Sequence, residues 1–196
     1  MALRKRILGE EHPDTLKSMN NLSDALSNLE LYDKALALQK KTLALSKKIL
    51  GEEHPYTLHI MNSLAGTLYN LNRHDEVLAL MRKILALRKE SLGEEHLDTL
   101  SAMNNLACTL AELGQYDEAL SLQREVLTLA YKNFNESSLF VIEFLKTLAE
   151  ILYKSGEQKE ALQTIERAAA AVQKNFGDEH PCTEEIFELR DKILNN

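Results

Sequence analysis

One pentapeptide returns through the chain at a fixed spacing. Leu8-Gly9-Glu10-Glu11-His12 recurs as Leu50-Gly51-Glu52-Glu53-His54, as Leu92-Gly93-Glu94-Glu95-His96 and, after one skipped step, as Phe176-Gly177-Asp178-Glu179-His180. At the skipped step stands a degraded copy, Phe134-Asn135-Glu136-Ser137-Ser138. The starts at 8, 50, 92, 134 and 176 share a 42-residue period. A period of this size marks an array of one supersecondary unit, whose copies bury their apolar faces against each other.

Each copy reads as two helices. From Thr15 to Leu29, the residues Leu16, Met19, Leu22, Leu26 and Leu29 fall at three- and four-residue steps, one face of a helix. A break at Glu30-Leu31 corresponds to Gly114-Gln115 and Gly156-Glu157 further on. A second helix is expected from Asp33 to about Ile49, with Asp33, Asp75 and Asp117 opening successive second helices as caps and dipole partners. Gly51 suits a helix end and Pro55 a first helical turn. Small residues repeat as well: Ser23, Ala65, Ala107 and Ala149 on the first helix, Ala35, Val77, Ala119 and Ala161 on the second. Paired small residues let two helices approach to about 8–10 Å. The unit is thus an antiparallel helix hairpin, and the chain an all-α array of them.

Residues 2–7 (ALRKRI) match the end of a second helix, Ala86 to Ser91. The expected organisation is a single array over 1–196, with units at about 13–50, 55–92, 97–134 and 139–176 and partial units at 1–8 and 181–196. A start in mid-repeat reads as a piece of a longer array. Rival folds of similar period fit poorly. A propeller blade needs strands, whereas these segments have helical periodicity, and the chain has no Trp.

Composition narrows the function classes. Hydrophobic residues make up 44% of the chain, enough to build a core, and no apolar run is long enough for a membrane helix. Cys108 and Cys182 occupy different repeat positions and are not expected to pair, which favours a cytoplasmic location. A net charge of −7 speaks against nucleic acid and anionic membrane as partners.

The residues that usually carry chemistry are absorbed by the period. Pro13, Pro55 and Pro181 share one position, and His12, His54, His96 and His180 share another. His74 takes the place of Tyr32 and Tyr116, a packing position. Ligands converge on a metal at about 2 Å, whereas stacked units hold equivalent atoms about 10 Å apart. The loop histidines are therefore read as a loop-fixing hydrogen bond copied with each unit. No phosphate-cradling glycine motif, HExxH or CxxC is present. The expectation is no catalytic residue, no cofactor and no metal.

Asn104-Asn105-Leu106-Ala107, Leu110, and Leu113-Gly114-Gln115-Tyr116-Asp117-Glu118-Ala119-Leu120 resemble the tetratricopeptide repeat. The long period and the Leu-Gly-x-x-His-Pro-x-Thr-Leu loop are similar to the extended form found in kinesin light chains. One departure is that the usual aromatic four residues after the small Ala becomes Gln39, Met81, Gln123 and Ile165. The resemblance implies a right-handed α-solenoid of stacked antiparallel helix hairpins, whose first helices line a concave groove for a protein or peptide.

Carried over by position, that groove shows Lys17, Asn20, Asn21 and Asp24 from the first unit, and His59, Asn62, Ser63, Gly66, Tyr69 and Asn70 from the second. The third gives Ser101, Asn104, Asn105, Cys108 and Glu112, the fourth Lys146, Glu150 and Lys154. Asparagine has low helix propensity, so its recurrence on these helices asks for a reason. One reason is pairing with a ligand backbone, since an amide both donates and accepts; the other is fixing the stack of units. Lys146 and Lys154 form the one basic pair available for a ligand carboxylate, and Phe140, Phe144 and Tyr153 are either an added apolar pocket or ordinary packing. Gly66 within a helix suggests close approach of a ligand or relief of crowding. The resulting reading is a non-catalytic interaction scaffold or adaptor. The alternative is a sensor or assembly module that self-associates end to end through uncapped repeat ends.

Overall fold

The computed structural model describes residues 6–177 and 180–195. Among them no strand occurs, and the helices follow one another in pairs. We number them α1 (Pro13–Asn28), α2 (Tyr32–Leu50), α3 (Pro55–Asn70), α4 (His74–Leu92), α5 (Leu97–Glu112), α6 (Tyr116–Asn133), α7 (Leu139–Ser155), α8 (Gln158–Phe176) and α9 (Pro181–Leu194). The chain divides into two compact units, Met1–Ser91 and Leu92–Asn196. The first holds the hairpins α1–α2 and α3–α4. The second holds α5–α6, α7–α8 and the single helix α9. Of the partial unit expected at 1–8, residues 1–5 lie outside the described residues, and 6–8 are helical. The acidic pair Asp178-Glu179 and Asn196 also lie outside them.

The long loop is built by the residues that repeat. His12, His54, His96 and His180 are the N-caps of α1, α3, α5 and α9. Each Nδ1 accepts the backbone N–H two residues on, at 3.1–3.3 Å. Thr15, Thr57, Thr99 and Thr183 are fully buried, and each hydroxyl donates to the carbonyl of Gly9, Gly51, Gly93 or Gly177 at 2.7–2.8 Å. One side chain thus caps the new helix while another ties it to the end of the old one. The loop-fixing role expected of the histidines is what the geometry shows. In the degraded copy both ties are gone: Ser138 makes no side-chain cap bond and Val141 replaces the threonine.

The short turn is equally regular. Glu30, Asn72, Gly114 and Gly156 all have positive φ, at 60°, 56°, 75° and 91°. The following N–H of Leu31, Arg73, Gln115 or Glu157 bonds back to the carbonyl of Leu26, Leu68, Leu110 or Leu152 at 2.8–2.9 Å. This left-handed residue followed by a bond reaching five back is a Schellman ending. The second helices start one residue earlier than expected, at Tyr32, His74 and Tyr116. Asp33 and Asp117 therefore act on the dipole from the first turn, and the cap residues Leu31 and Gln115 make no side-chain cap bond.

In the first unit the core is drawn from Leu16, Met19, Ala35, Leu58, Met61, Ala65 and Val77. The second unit uses Leu100, Met103, Ala107, Ala119, Leu145, Ala149, Ala161 and Ile186 in the same way. The small residues sit at 0–2% exposure, as close helix approach requires. Outside, the loop glutamates reach the next second helix. Lys41 pairs with Glu10, Lys48 with Glu11 and Lys83 with Glu52 in the first unit; Lys132 pairs with Glu95 and Arg167 with Glu136 in the second. The loop glutamates thus form a ladder of ion pairs along each unit.

Candidate functional site

The first helices of each unit lie beside one another, α1 with α3 in the first, and α5 with α7 and α7 with α9 in the second. Every residue expected in the groove falls on α1, α3, α5 or α7, and the two units are taken separately.

On α1, Lys17 and Asn21 are exposed, Asp24 is half-buried and Asn20 is buried. Asn20 Nδ2 donates to Asp24 Oδ2 at 2.9 Å and lies 3.5 Å from His59 Nε2 of α3. Asn20, Asp24 and His59 are therefore brought together. His59, Gly66 and Asn70 are exposed on α3; Asn62, Ser63 and Tyr69 are half-buried. Tyr69 meets the edge of His74 at 5.6 Å, which turns it toward its own hairpin partner. The Ser63 carbonyl accepts from Gln39 Nε2 at 3.2 Å. Nothing lies within 4 Å of a Cβ built on Gly66, so crowding within the chain does not account for that glycine. Sequence reasoning missed Tyr56, which stacks on His59 with ring centroids 6.0 Å apart. The three-residue step between them places both on one helical face, a signal available beforehand. Burial, with the Asp24 charge beside it, pushes the Tyr56 phenol up to about 12.

On α5, Asn105 and Glu112 are exposed; Ser101, Asn104 and Cys108 are half-buried. Asn104 Oδ1 accepts from Gln123 Nε2 at 2.8 Å, and the same nitrogen donates to the Phe144 carbonyl at 2.9 Å. The expected amide column therefore divides. Asn20 and Asn104 are held by their own fold, whereas Asn21 and Asn105 face solvent.

The basic pair on α7 is unequal. Lys154 is exposed, but Lys146 is bridged by Glu143 at 3.0 Å and by Glu185 of α9 at 2.8 Å. Burial works against the Lys146 charge, yet the bonds from Glu185 and Glu143 outweigh it and hold the ammonium above its ordinary value. Lys146 is thus already neutralised, by a residue of α9 that the sequence reading did not include. Half-buried Glu150 is pushed up by burial against the pull of Lys146 and Lys154. Burial and the Glu150 charge raise the Cys108 thiol, which favours its protonated form near neutrality.

The aromatic residues of α7 do not converge. Phe144 is in the core, Phe140 is 45% exposed against Phe134 at 6.0 Å, and Tyr153 lies under the Lys192 ammonium at 5.6 Å. Among the described residues no group of three or more His, Cys, Asp or Glu could hold a metal, and no helix is long and apolar enough to cross a membrane. Cys108 and Cys182 are free thiols.

Comparison with known proteins places this geometry. The tetratricopeptide repeat family profile matches residues 1–48, 25–90 and 62–132, and a second profile of the same description matches 145–181. A search of curated proteins returned no match. Among solved structures, the nearly identical TPR-like repeats of a Podosopora anserina kinesin light chain are 23% identical, over 94% of this chain and 87% of that one, with a TM-score of 0.76. BtubC (BKLC) from P. vanneervenii is 19% identical over 99% and 77%, with the same TM-score of 0.76. Bacillus thuringiensis PlcR, solved with the peptide PapR7 and DNA, is 17% identical over 93% and 62%, at 0.61. At these identities the likeness is one of fold: an all-α solenoid of helix hairpins.

Proposed function

The chain belongs to the tetratricopeptide repeat family, with repeats of the kinesin-light-chain-like type, and we propose that it is a non-catalytic interaction scaffold binding a peptide segment on its first-helix faces. The observation that carries this is the division of the asparagines. Asn20 and Asn104 are spent on internal bonds, but Asn21 and Asn105, at one repeat position, are exposed and serve no packing. An exposed amide on a helix has low propensity there and offers a peptide backbone one donor and one acceptor. PlcR, similar in fold over 93% of this chain, was solved in complex with a peptide, PapR7, and this supports the reading. The free thiols fit a cytoplasmic setting.

The test is a peptide array probed with the chain, followed by fluorescence polarisation of the best-binding peptide. The double variant Asn21→Ala, Asn105→Ala should weaken binding by roughly tenfold or more, as removal of central contacts does. Unchanged affinity in a folded double variant sinks the assignment.

A second reading, end-to-end association, is favoured by one feature of α1. Leu22 is 38% exposed, whereas its counterparts Leu64 and Leu148, each covered by the preceding hairpin of its own unit, are 5% and 7% exposed. Leu29 and Leu31 are exposed beside it. An apolar face of this kind is a site for stacking. Light scattering over a concentration series decides it: a strict monomer at high concentration excludes self-association.

A further inference from the structure

In the α5–α6 hairpin the buried amide is locked, with Asn104 Oδ1 accepting from Gln123 Nε2 at 2.8 Å. Asn20 and Gln39 hold the same two places in the α1–α2 hairpin, but there the bond is not made. Gln39 Nε2 is used on the Ser63 carbonyl and Asn20 Nδ2 on Asp24, so Asn20 Oδ1 and Gln39 Oε1 are both left buried without a donor; Gln123 Oε1 lacks one too, so the two hairpins differ at the asparagine acceptor. These side chains are 2% and 1% exposed. Buried acceptors are nearly always satisfied in folded proteins, so the stranded Asn20 Oδ1, whose counterpart on Asn104 is paired, asks for a missing donor. Its surroundings say which kind. The Asp24 carboxylate is half-buried at one side, and Tyr56 and His59 form a flat stack with 25° between their planes. The Tyr56 hydroxyl is also buried without a partner.

A carboxylate beside an aromatic wall suits a cation rich in N–H groups. An anion would face Asp24, and an apolar side chain would leave its half-buried carboxylate without a counter-charge. The one cation of α1, Lys17, lies two helical turns from Asp24, about 10 Å along the axis, and leaves the carboxylate available. The net charge of −7 also favours a basic partner over an acidic one. We propose that the α1–α3 face is a subsite for a basic side chain, arginine or lysine, of the bound segment. Asp24 supplies the counter-charge and the Tyr56–His59 stack the supporting face. With the ligand's N–H groups on Asp24, the Asn20 amide is released to pair with Gln39 as Asn104 pairs with Gln123. The subsite deepens the peptide-scaffold reading and rests on it for the identity of the ligand.

The probes are pentapeptides of Gly and Ser with one central Arg, Lys or Glu, titrated into the isotope-labelled full chain and followed by NMR. The Arg and Lys peptides should shift the backbone amides of Asn20, Asp24, Tyr56 and His59, and the Glu peptide should not. Asp24→Asn should weaken the Arg titration by roughly tenfold, the range of a lost charge-assisted bond, while the variant's melting temperature stays near the parent's. His59→Ala should weaken it less. Equal shifts from the Glu peptide, an Asp24→Asn titration like the parent's, or no shift at these four residues overturns the subsite. The two readings fail separately. An array that yields binding peptides without basic preference sinks the subsite and keeps the scaffold. Arg-specific shifts in a chain that binds no array peptide do the reverse.

Discussion

At the scale of single residues, the chain spends conformational energy at two places that its own repeats show to be avoidable. Glu30 takes φ = 60° at the turn position filled elsewhere by Gly114 and Gly156. A side chain in the left-handed region costs about 1 kcal/mol or more relative to glycine. Glu30→Gly should therefore raise stability by up to about 1 kcal/mol, read as a higher denaturation midpoint at constant slope. An unchanged or lower midpoint would mean that the Glu30 side chain has a compensating role. Gly66 is the reverse case. Its helix is regular, its φ is not positive and a Cβ there meets nothing within 4 Å. Gly66→Ala should gain about 1 kcal/mol from helix propensity alone. If the same variant loses peptide binding, the space above Gly66 is used by the ligand; if binding holds, the glycine has no part in recognition.

At the scale of the helix, the position usually filled by an aromatic in this repeat type has been solved in two ways. Met81 fills it without polar atoms, whereas Gln39 and Gln123 fill it with a buried amide whose Oε1 has no donor. Gln39 makes one bond, 3.2 Å long, to a helix carbonyl. Replacing it by the residue found one period later removes an unsatisfied buried acceptor at nearly constant volume. Gln39→Met should accordingly stabilise the first unit by about 1 kcal/mol, whereas Gln123→Met, which also strands the Asn104 carbonyl, should gain less. Thermal unfolding of the two variants side by side tests the order. The same position marks where the sequence stopped being readable. The hairpins, both turns and the histidine loop were legible because each is fixed by local spacing and copied along the chain. The residues that would line the first helices were also placed on the right helices. What spacing could not show is which polar groups the fold consumes internally. Asn20 and Asn21 are adjacent letters of one type, yet one is buried against Asp24 and the other is in solvent, because a helix turns about 100° per residue. One of the two partners of Lys146, Glu143, stands a helical turn away in the same repeat, but the other, Glu185, stands 39 residues away, on a helix outside the repeat being read.

At the scale of the whole molecule, the ion pairs that join successive hairpins set how stability follows pH. Bonds from Lys47 and Lys83 hold the Glu52 carboxyl below its ordinary 4.5, bonds from Lys132 and Asn133 do the same for Glu95, and Lys146 does so for Glu185. A carboxylate whose folded value is depressed contributes stability that is complete above the unfolded value and is lost as pH falls through the folded one. These three therefore define an acid limb lying below 4.5, and exposure keeps each contribution small. Glu150 acts in the opposite sense. Burial raises its folded value above 4.5, so its contribution is fully present below 4.5 and is lost as pH rises through the raised value. Near neutrality the ionised Glu150 thus works against the fold that the other carboxylates support. Glu150→Gln keeps the neutral form at every pH. The variant should be more stable than the parent near pH 7, and the difference should shrink as pH falls and vanish below 4.5, where the parent's Glu150 is protonated in both states. Urea unfolding of parent and variant across that range measures it. Parallel curves, or a variant less stable near neutrality, would show that Lys146 and Lys154 stabilise the Glu150 charge by more than its burial costs.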